Sequence, residues 1–139
     1  MNNNARINPI AVVLGGILYW LVQAGWYTLF ARPWLEGVGK TMTDLQQGSP
    51  MLPYLIALAC DVAAAFVLAW VVVATGEQTA ARGVLCGILL SLGLIATTLA
   101  TMYTFERRSL QFFLINAGCP LVALIIVGAL VGGCKGKAA

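Results

Sequence analysis

Long apolar runs separated by short polar breaks dominate the pattern of the chain. Crossing the hydrocarbon of a bilayer takes about 20 residues of helix. Four runs reach that length: 10–30, 51–75, 83–104 and 110–134. The runs are continuous rather than alternating, and each is longer than a barrel strand. Asn8 and Pro9, just before the first run, are typical of a helix start. The pattern therefore predicts four transmembrane helices.

Four crossings place both termini on one side of the membrane, which we call side A. The connections 31–50 and 105–109 then lie on the opposite side, side B. The prediction is an all-α, antiparallel four-helix membrane bundle that forms a single domain over residues 1–139. The first run is too long for the core of a signal peptide, so we expect it to remain as a membrane anchor.

Positive charges usually mark the cytoplasmic side of a membrane protein. Here each side of the predicted bundle carries four of them. Side A has Arg6, Arg82, Lys135 and Lys137, and side B has Arg32, Lys40, Arg107 and Arg108. This tie leaves the orientation of the bundle open.

Composition supports the membrane prediction and excludes several partners. Of the residues, 60% are hydrophobic and 9% charged, whereas a soluble domain has roughly 25% charged residues. A chain this short cannot bury so much apolar surface in water, so its expected partner is the lipid bilayer. The net charge of +3 is small and dispersed, which excludes a nucleic-acid surface. Gly37 to Thr41 resemble the end of a phosphate-binding loop, but Trp34 stands where its first glycine is required, so we predict no nucleotide.

Metal or nucleophile chemistry has little support in the sequence. There is no histidine, and the four cysteines form no C-x-x-C pair. They are Cys60, Cys86, Cys119 and Cys134. We therefore predict no metal, no cofactor and no enzymatic activity. Four reduced thiols are the simplest interpretation, while a disulfide between the two cysteines nearest side A, Cys86 and Cys134, stays open.

Aromatic residues concentrate at side B. Such residues form interfacial belts in many membrane proteins, but the unequal distribution makes side B the better candidate for a binding surface. The candidate interface consists of Trp26, Tyr27, Arg32, Trp34, Tyr103, Glu106 and Arg108. The 31–50 connection also repeats apolar residues at roughly helical spacing, which predicts a short amphipathic helix on the membrane surface.

Asp61 lies about ten residues into the second run, near the middle of the membrane. A charged aspartate there costs about 2.5–3.5 kcal/mol on insertion scales, so we expect it to be buried, neutral and hydrogen-bonded. At about 1.5 Å of rise per residue, other polar groups lie at a comparable depth, about 9–15 Å from side B. This polar layer consists of Gln23, Asp61, Thr97, Thr98 and Asn116.

Pro120 adds a backbone acceptor to the same layer. A proline inside a helix leaves the carbonyl four residues earlier without its donor, and here that carbonyl belongs to Asn116. Two interpretations of the layer remain open. The polar groups either join the helices through hydrogen bonds or line a small cavity that opens towards side B.

Small residues recur every four positions on two of the predicted helices. They are Gly83, Gly87 and Ser91 on the third, and Gly128 and Gly132 on the fourth. Such stripes allow helices to approach closely. They serve packing within one bundle, or else association with a second copy or another membrane protein, so we expect a homo-oligomer or such a partner.

Two blocks of sequence resemble signatures of a known family. The first is Gly25-Trp26-Tyr27 with Leu29-Phe30 and Trp34. The second is Thr97-Thr98, Tyr103-x-Phe105-Glu106-x-Arg108 and Phe113-Leu114-Ile115-Asn116-Ala117-Gly118. Together they resemble the bacterial membrane family called domain of unknown function 1761. The resemblance implies a multi-pass protein of the bacterial inner membrane with four helices and no established activity, and Asp61 is not part of its pattern.

Two classes of function agree with these observations. One is a small solute or proton-coupled transporter or channel that uses the polar layer. The other is a non-catalytic accessory or scaffold subunit of a membrane complex. The intramembrane carboxyl group favours the first, and the lack of further ionisable groups in the membrane favours the second.

Overall fold

The computed structural model describes residues 5–136, so Lys137 of the predicted side-A charges lies outside the described residues. The helices are α1 (Pro9–Leu29), α2 (Ala31–Val38), α3 (Met42–Leu45), α4 (Leu52–Ala74), α5 (Ala80–Leu90), α6 (Thr97–Phe105) and α7 (Leu110–Gly133). A π-helical turn, Ser91–Ala96, joins α5 to α6. Four helices are long and apolar enough to cross a membrane: α1, α4, the α5–α6 helix and α7. The prediction of an all-α membrane bundle is confirmed.

The two ends of the described chain meet at one end of the bundle. Gly136 N donates to the carbonyl oxygen of Arg6 at 3.0 Å. At the opposite end, the connections predicted for side B meet as well, because Arg108 Nη1 donates to the carbonyl oxygen of Gly37 at 2.6 Å. These contacts agree with antiparallel neighbouring spans and with both termini at side A.

Short polar side chains determine where the spanning helices begin. Asn8 Oδ1 accepts from the backbone N–H groups of Ile10 and Ala11, at 3.1 and 3.3 Å, and so caps α1. Thr79 Oγ1 accepts from Arg82 N at 3.1 Å and caps α5. Capping satisfies backbone donors that have no partner within the helix. The third span therefore begins at Ala80, earlier than the Gly83 predicted from hydropathy.

Helix α7 is the central element of the bundle and contacts each of the other spans. Its glycines lie against α5 with almost no separation. A Cβ atom on Gly83 would overlap the carbonyl group of Gly128, and one on Gly87 would overlap that of Leu124. The stripes of small residues predicted on these two helices therefore pack against each other within one protomer, which removes them as an argument for a second copy.

Helices α1 and α4 form a second close pair. A Cβ atom on Gly16 would overlap the backbone of Val62, and Gly15 lies against Ala65. Towards side A the space between the two pairs is filled by fully buried side chains. They are Leu68, Val72, Val127 and Val131.

The 31–50 connection contains two short helices instead of one. Helix α2 ends at Val38 and is capped by Gly39, whose φ of +74° suits glycine. Helix α3 begins with a capping box in which Thr41 and Asp44 satisfy each other's backbone N–H groups. The hydrogen bonds from Thr41 hold the pKa of the Asp44 carboxyl group below its usual value. Gly37 lies against the ring of Phe112, and this contact seats α2 on α7.

The π-helical turn changes which face of the third span points inward. A π turn accommodates one extra residue, so the residues after it are rotated by about 100° relative to a continuous α-helix. Ser91, at the start of the turn, is 0% exposed. Beyond the turn, none of the residues of α6 is buried.

Candidate functional site

Asp61 and Gln23 form a polar pair inside the side-B half of the bundle. Asp61 is 4% exposed, and its Oδ1 accepts a hydrogen bond from Gln23 Nε2 at 2.8 Å. Its second oxygen, Oδ2, is buried and has no partner among residues 5–136. Asp61 lies one helical turn from Ala65, on the face of α4 that packs against α1. The bundle thus brings together the first two residues of the predicted layer.

Asn116 belongs to a separate cluster nearer side B. Its Oδ1 accepts from Tyr27 Oη at 3.1 Å and from Trp34 Nε1 at 3.2 Å. Its amide nitrogen donates to the carbonyl oxygen of Phe112 in its own helix at 2.9 Å. One side chain of α7 therefore joins α1 and α2. Asn116 and Asp61 share no hydrogen bond in the structure.

The backbone near Pro120 has a partner in the indole of Trp26. Trp26 Nε1 donates to the carbonyl oxygen of Ile115 at 2.9 Å. This acceptor lies one residue before the carbonyl predicted from the proline. Gly118 leaves room for the indole, because a Cβ atom there would come within 2.9 Å of the ring. Trp26 and Tyr27 of α1 therefore both contact α7, Trp26 at the carbonyl oxygen of Ile115 and Tyr27 at Asn116.

The third span does not contribute to the predicted polar layer. Thr97 and Thr98 are exposed, and Thr97 Oγ1 donates to carbonyl oxygens of its own helix, at Gly93 and Leu94. The sequence analysis predicted how deep Thr97 and Thr98 lie along the helix, but not which way they face. The π turn rotates both side chains away from the interior of the bundle. Ser91 is the buried polar side chain of this span, and its Oγ has no partner among the described residues. Its place in the stripe with Gly83 and Gly87 was the signal for it.

A cavity of about 360 Å³ opens between α1, α2 and α4 in the side-B half. Its walls are aromatic and apolar except for the amide of Gln23. The lining residues are Trp20, Gln23, Ala24, Tyr27, Trp34, Pro53, Tyr54 and Ala57. A second cavity of about 430 Å³ shares Tyr27, Trp34 and Tyr54 and extends to α3. This cavity differs from the polar one left open by the sequence analysis, because Gln23 is the one residue of the predicted polar layer in its wall.

The remaining side-B residues hold the connections in place. Arg108 lies over the ring of Phe112, 5.3 Å from its centroid, and Arg108 Nε contacts Glu106 Oε2 at 3.0 Å. The Tyr103 ring packs on the same phenylalanine, with centroids 5.2 Å apart. Arg32 pairs with Glu36 one turn later and is exposed. Of the predicted interface, only Tyr27 and Trp34 line the cavity beside Gln23.

Gln78, which the sequence analysis did not identify, joins the side-A end. Arg6 N donates to Gln78 Oε1 at 2.9 Å, and Gln78 Nε2 donates to the carbonyl oxygen of Val131 at 3.0 Å. Its burial could not be predicted, because it lies in a polar turn. Nearby, Arg82 forms an ion pair with Glu77, which lowers the pKa of that exposed carboxyl group.

The cysteines of the described chain are free thiols. Cys86 is buried in the core and Cys134 is exposed, so the disulfide left open by the sequence is not formed.

The comparison with protein families identifies one match. The model of a family described as protein of unknown function (DUF1761) matches residues 10–132. No curated protein and no solved structure matches the chain. The matched range covers the four spanning helices except for Pro9 and Gly133 at its two ends, and the resemblance seen in the two sequence blocks is confirmed.

Proposed function

The chain belongs to the DUF1761 family of proteins of unknown function, and we propose that it is a small membrane transporter. In this proposal the side-B cavity takes up a small amphipathic solute, and Asp61 carries a proton. The observation that supports the proposal is the buried carboxyl group beside the cavity wall, with one oxygen bonded to Gln23 and the other without a partner among residues 5–136. Ionisable groups within membrane spans are uncommon and mark ion or proton pathways.

Gln23 provides the link between solute and proton. Its side chain belongs to the cavity wall and also donates to the carboxyl group of Asp61. A solute that contacts this amide changes the hydrogen bond on which the charge state of Asp61 depends. Solute binding and proton binding are then thermodynamically coupled, and each alters the affinity for the other.

Release at side A requires the helices to move, because that half of the bundle is filled by buried side chains. The two close pairs, α1 with α4 and α5 with α7, are natural rigid bodies for such a movement. Many transporters alternate access by rocking one group of helices against another. In this proposal the π turn at Ser91–Ala96 and the proline at position 120 are the flexible positions.

Proteoliposomes with a trapped pH-sensitive dye test the proposal. Three probes are applied as concentration gradients: benzyltrimethylammonium, benzyl alcohol and benzenesulfonate. Each has one phenyl ring, and their head groups are positive, neutral and negative, respectively. We expect at least one gradient to move protons through the wild type but not through Asp61→Asn, which keeps the side-chain shape. Asp44→Asn removes an exposed carboxylate outside the membrane and is the matched control. Equal proton movement with Asp61→Asn, or none with any probe, overturns the proposal.

A second candidate, a non-catalytic accessory or scaffold subunit, is supported by the surface of α6. No residue of Thr97–Phe105 is buried, although this helix is the side-B half of a membrane span. Such a face suits packing against another membrane protein or a second copy of this chain. Cysteine cross-linking through Met102→Cys in native membranes tests it: a cross-linked product supports this role, and a monomer under oxidising conditions contradicts it.

We further propose that the protein resides in a bacterial inner membrane and has no enzymatic activity. Support for the location comes from the four helical spans, since bacterial outer-membrane proteins are typically β-barrels. Support for the second point comes from the sequence, which has no histidine to pair with a serine or cysteine nucleophile.

A further inference from the structure

The walls of the side-B cavity consist of aromatic rings from three helices. The rings of Trp20 and Tyr54 meet at 75°, with centroids 6.3 Å apart, and join α1 to α4. The rings of Tyr27 and Trp34 meet at 69°, with centroids 5.7 Å apart, and join α1 to α2. All four rings line the same cavity. Tryptophan and tyrosine faces carry partial negative charge and attract cations.

The charges around the cavity favour a cation for a second reason. Among residues 5–136, no lysine or arginine lines the cavity. The amide of Gln23 belongs to this lining, and its nitrogen donates to Asp61. The carbonyl oxygen of the same amide is therefore the atom left to contact a bound molecule. Behind this amide lies the buried carboxyl group. The inner wall therefore presents hydrogen-bond acceptors and, when Asp61 is ionised, negative charge, and its described residues include no positive group to attract an anion.

We propose that this cavity is a binding site for a small organic ammonium cation with apolar substituents. The aromatic rings surround the cationic head, Gln23 contacts it, and Asp61 provides the opposite charge through Gln23. The volume of about 360 Å³ suits a drug-sized head group rather than a metal ion. This inference names the solute class of the proposed transporter, but the site itself does not depend on transport.

Isothermal titration calorimetry on the purified protein tests the site with the same three phenyl compounds. We expect benzyltrimethylammonium to bind more tightly than benzyl alcohol and benzenesulfonate. Trp20→Leu and Tyr54→Leu should each weaken cation binding by about fivefold, the upper end of a cation–π interaction at a partly exposed site. Trp20→Phe keeps an aromatic ring at this position, so this variant should bind the cation more tightly than Trp20→Leu and less tightly than the wild type.

The matched controls lie on α4 outside the cavity. Trp70→Leu and Phe66→Leu remove exposed rings and should leave cation affinity unchanged. Tyr54 is 59% exposed, so Tyr54→Leu tests the site even where Trp20→Leu disturbs folding. Equal affinity for the three compounds, no binding of the cation, or equal losses in cavity and control variants would overturn the inference.

The outcomes for binding and for transport are separable. Cation binding without proton movement that depends on Asp61 removes the transport proposal and leaves the cation site. Proton movement driven by benzyl alcohol or benzenesulfonate, without cation binding, removes the cation site and leaves the transport proposal.

Discussion

The two halves of the bundle are held together by different kinds of contact. In the side-A half, Gly83 and Gly87 of α5 lie directly against the backbone of α7, and branched aliphatic side chains fill the core. In the side-B half, Asn116 and aromatic rings join the helices through side chains. Backbone contact leaves little space between helices, whereas contact through large side chains leaves room for a cavity. The mode of packing therefore determines where a cavity lies between the spanning helices.

The largest expected effect lies in the side-A half. Gly83→Ala should destabilise the protein by about 3 kcal/mol, because the added methyl group overlaps the backbone of Gly128 and neither helix can yield easily. Unfolding in mixed micelles with increasing sodium dodecyl sulfate measures the change. Gly93→Ala is the control, since a Cβ atom there meets nothing within 4 Å. Similar stability of the two variants would show that the close contact is absent.

Asn116→Ala should have the next largest effect, on the side-B half. Trp34 and Tyr27 lose a shared acceptor, and because these donors are partly buried we expect a loss of about 1–2 kcal/mol, below the top of the range of about 1–3 kcal/mol for a fully buried donor. The emission of Trp34 should move to longer wavelength as α2 detaches from α7. Gln111→Ala, an exposed amide on the same helix, is the control and should leave both quantities unchanged. Unchanged emission would mean that Asn116 does not hold α2.

Asp61→Leu should cost about 1–2 kcal/mol, because Gln23 loses the acceptor of its amide nitrogen in a buried place. Asp61→Asn retains an acceptor oxygen and should be close to the wild type in stability. The same unfolding titration compares the two variants. If Asp61→Leu is as stable as Asp61→Asn, the hydrogen bond between Gln23 and Asp61 does not stabilise the bundle. The buried carboxyl group is then explained by the proposed proton transport alone.

The smallest effect concerns the pH dependence of α3. Thr41 lowers the pKa of Asp44 in the folded protein. The carboxylate therefore stabilises this helix at pH values above the pKa of Asp44 in the unfolded chain. Its contribution is lost as the pH falls through the lower, folded pKa. Amide chemical shifts of Thr41 and Asp44 in an acid titration should report local fraying, which Asp44→Asn should abolish while the spanning helices remain unaffected.

Hydropathy alone was sufficient to predict the four spans, apart from the start of the third, and their antiparallel order. Depth along a helix follows from counting residues, so Gln23 and Asp61 were correctly placed in reach of each other. Rotation about the helix axis requires a regular helix. The π turn at Ser91–Ala96 adds a residue to one turn, and so Thr97 and Thr98 face outward. The local sequence, Ser91-Leu92-Gly93-Leu94-Ile95-Ala96, contains no proline or other signal that distinguishes this turn from a regular α-helix.

The partners of Asn116 and Gln78 could not be predicted for a different reason. Each side chain bonds to groups far away in sequence, and those bonds depend on how α2 and the side-A ends pack against α7. Gly39 was a local signal for the break between α2 and α3, since glycine readily adopts its positive φ. The sequence therefore predicts elements and depths well, and predicts long-range side-chain partners poorly.

The central position of α7 has a consequence for biosynthesis. This helix contacts all the other spans, yet it is the last of the four to leave the ribosome. Until it is inserted, the glycine face of α5 has no helix to pack against, and the hydrogen bond from Gln78 to Val131 cannot form. The first three spans must therefore wait in the membrane as a loose intermediate. The pair of Asp61 and Gln23, in contrast, lies between α1 and α4, so it can form before α7 is inserted and can shield the carboxyl group from lipid.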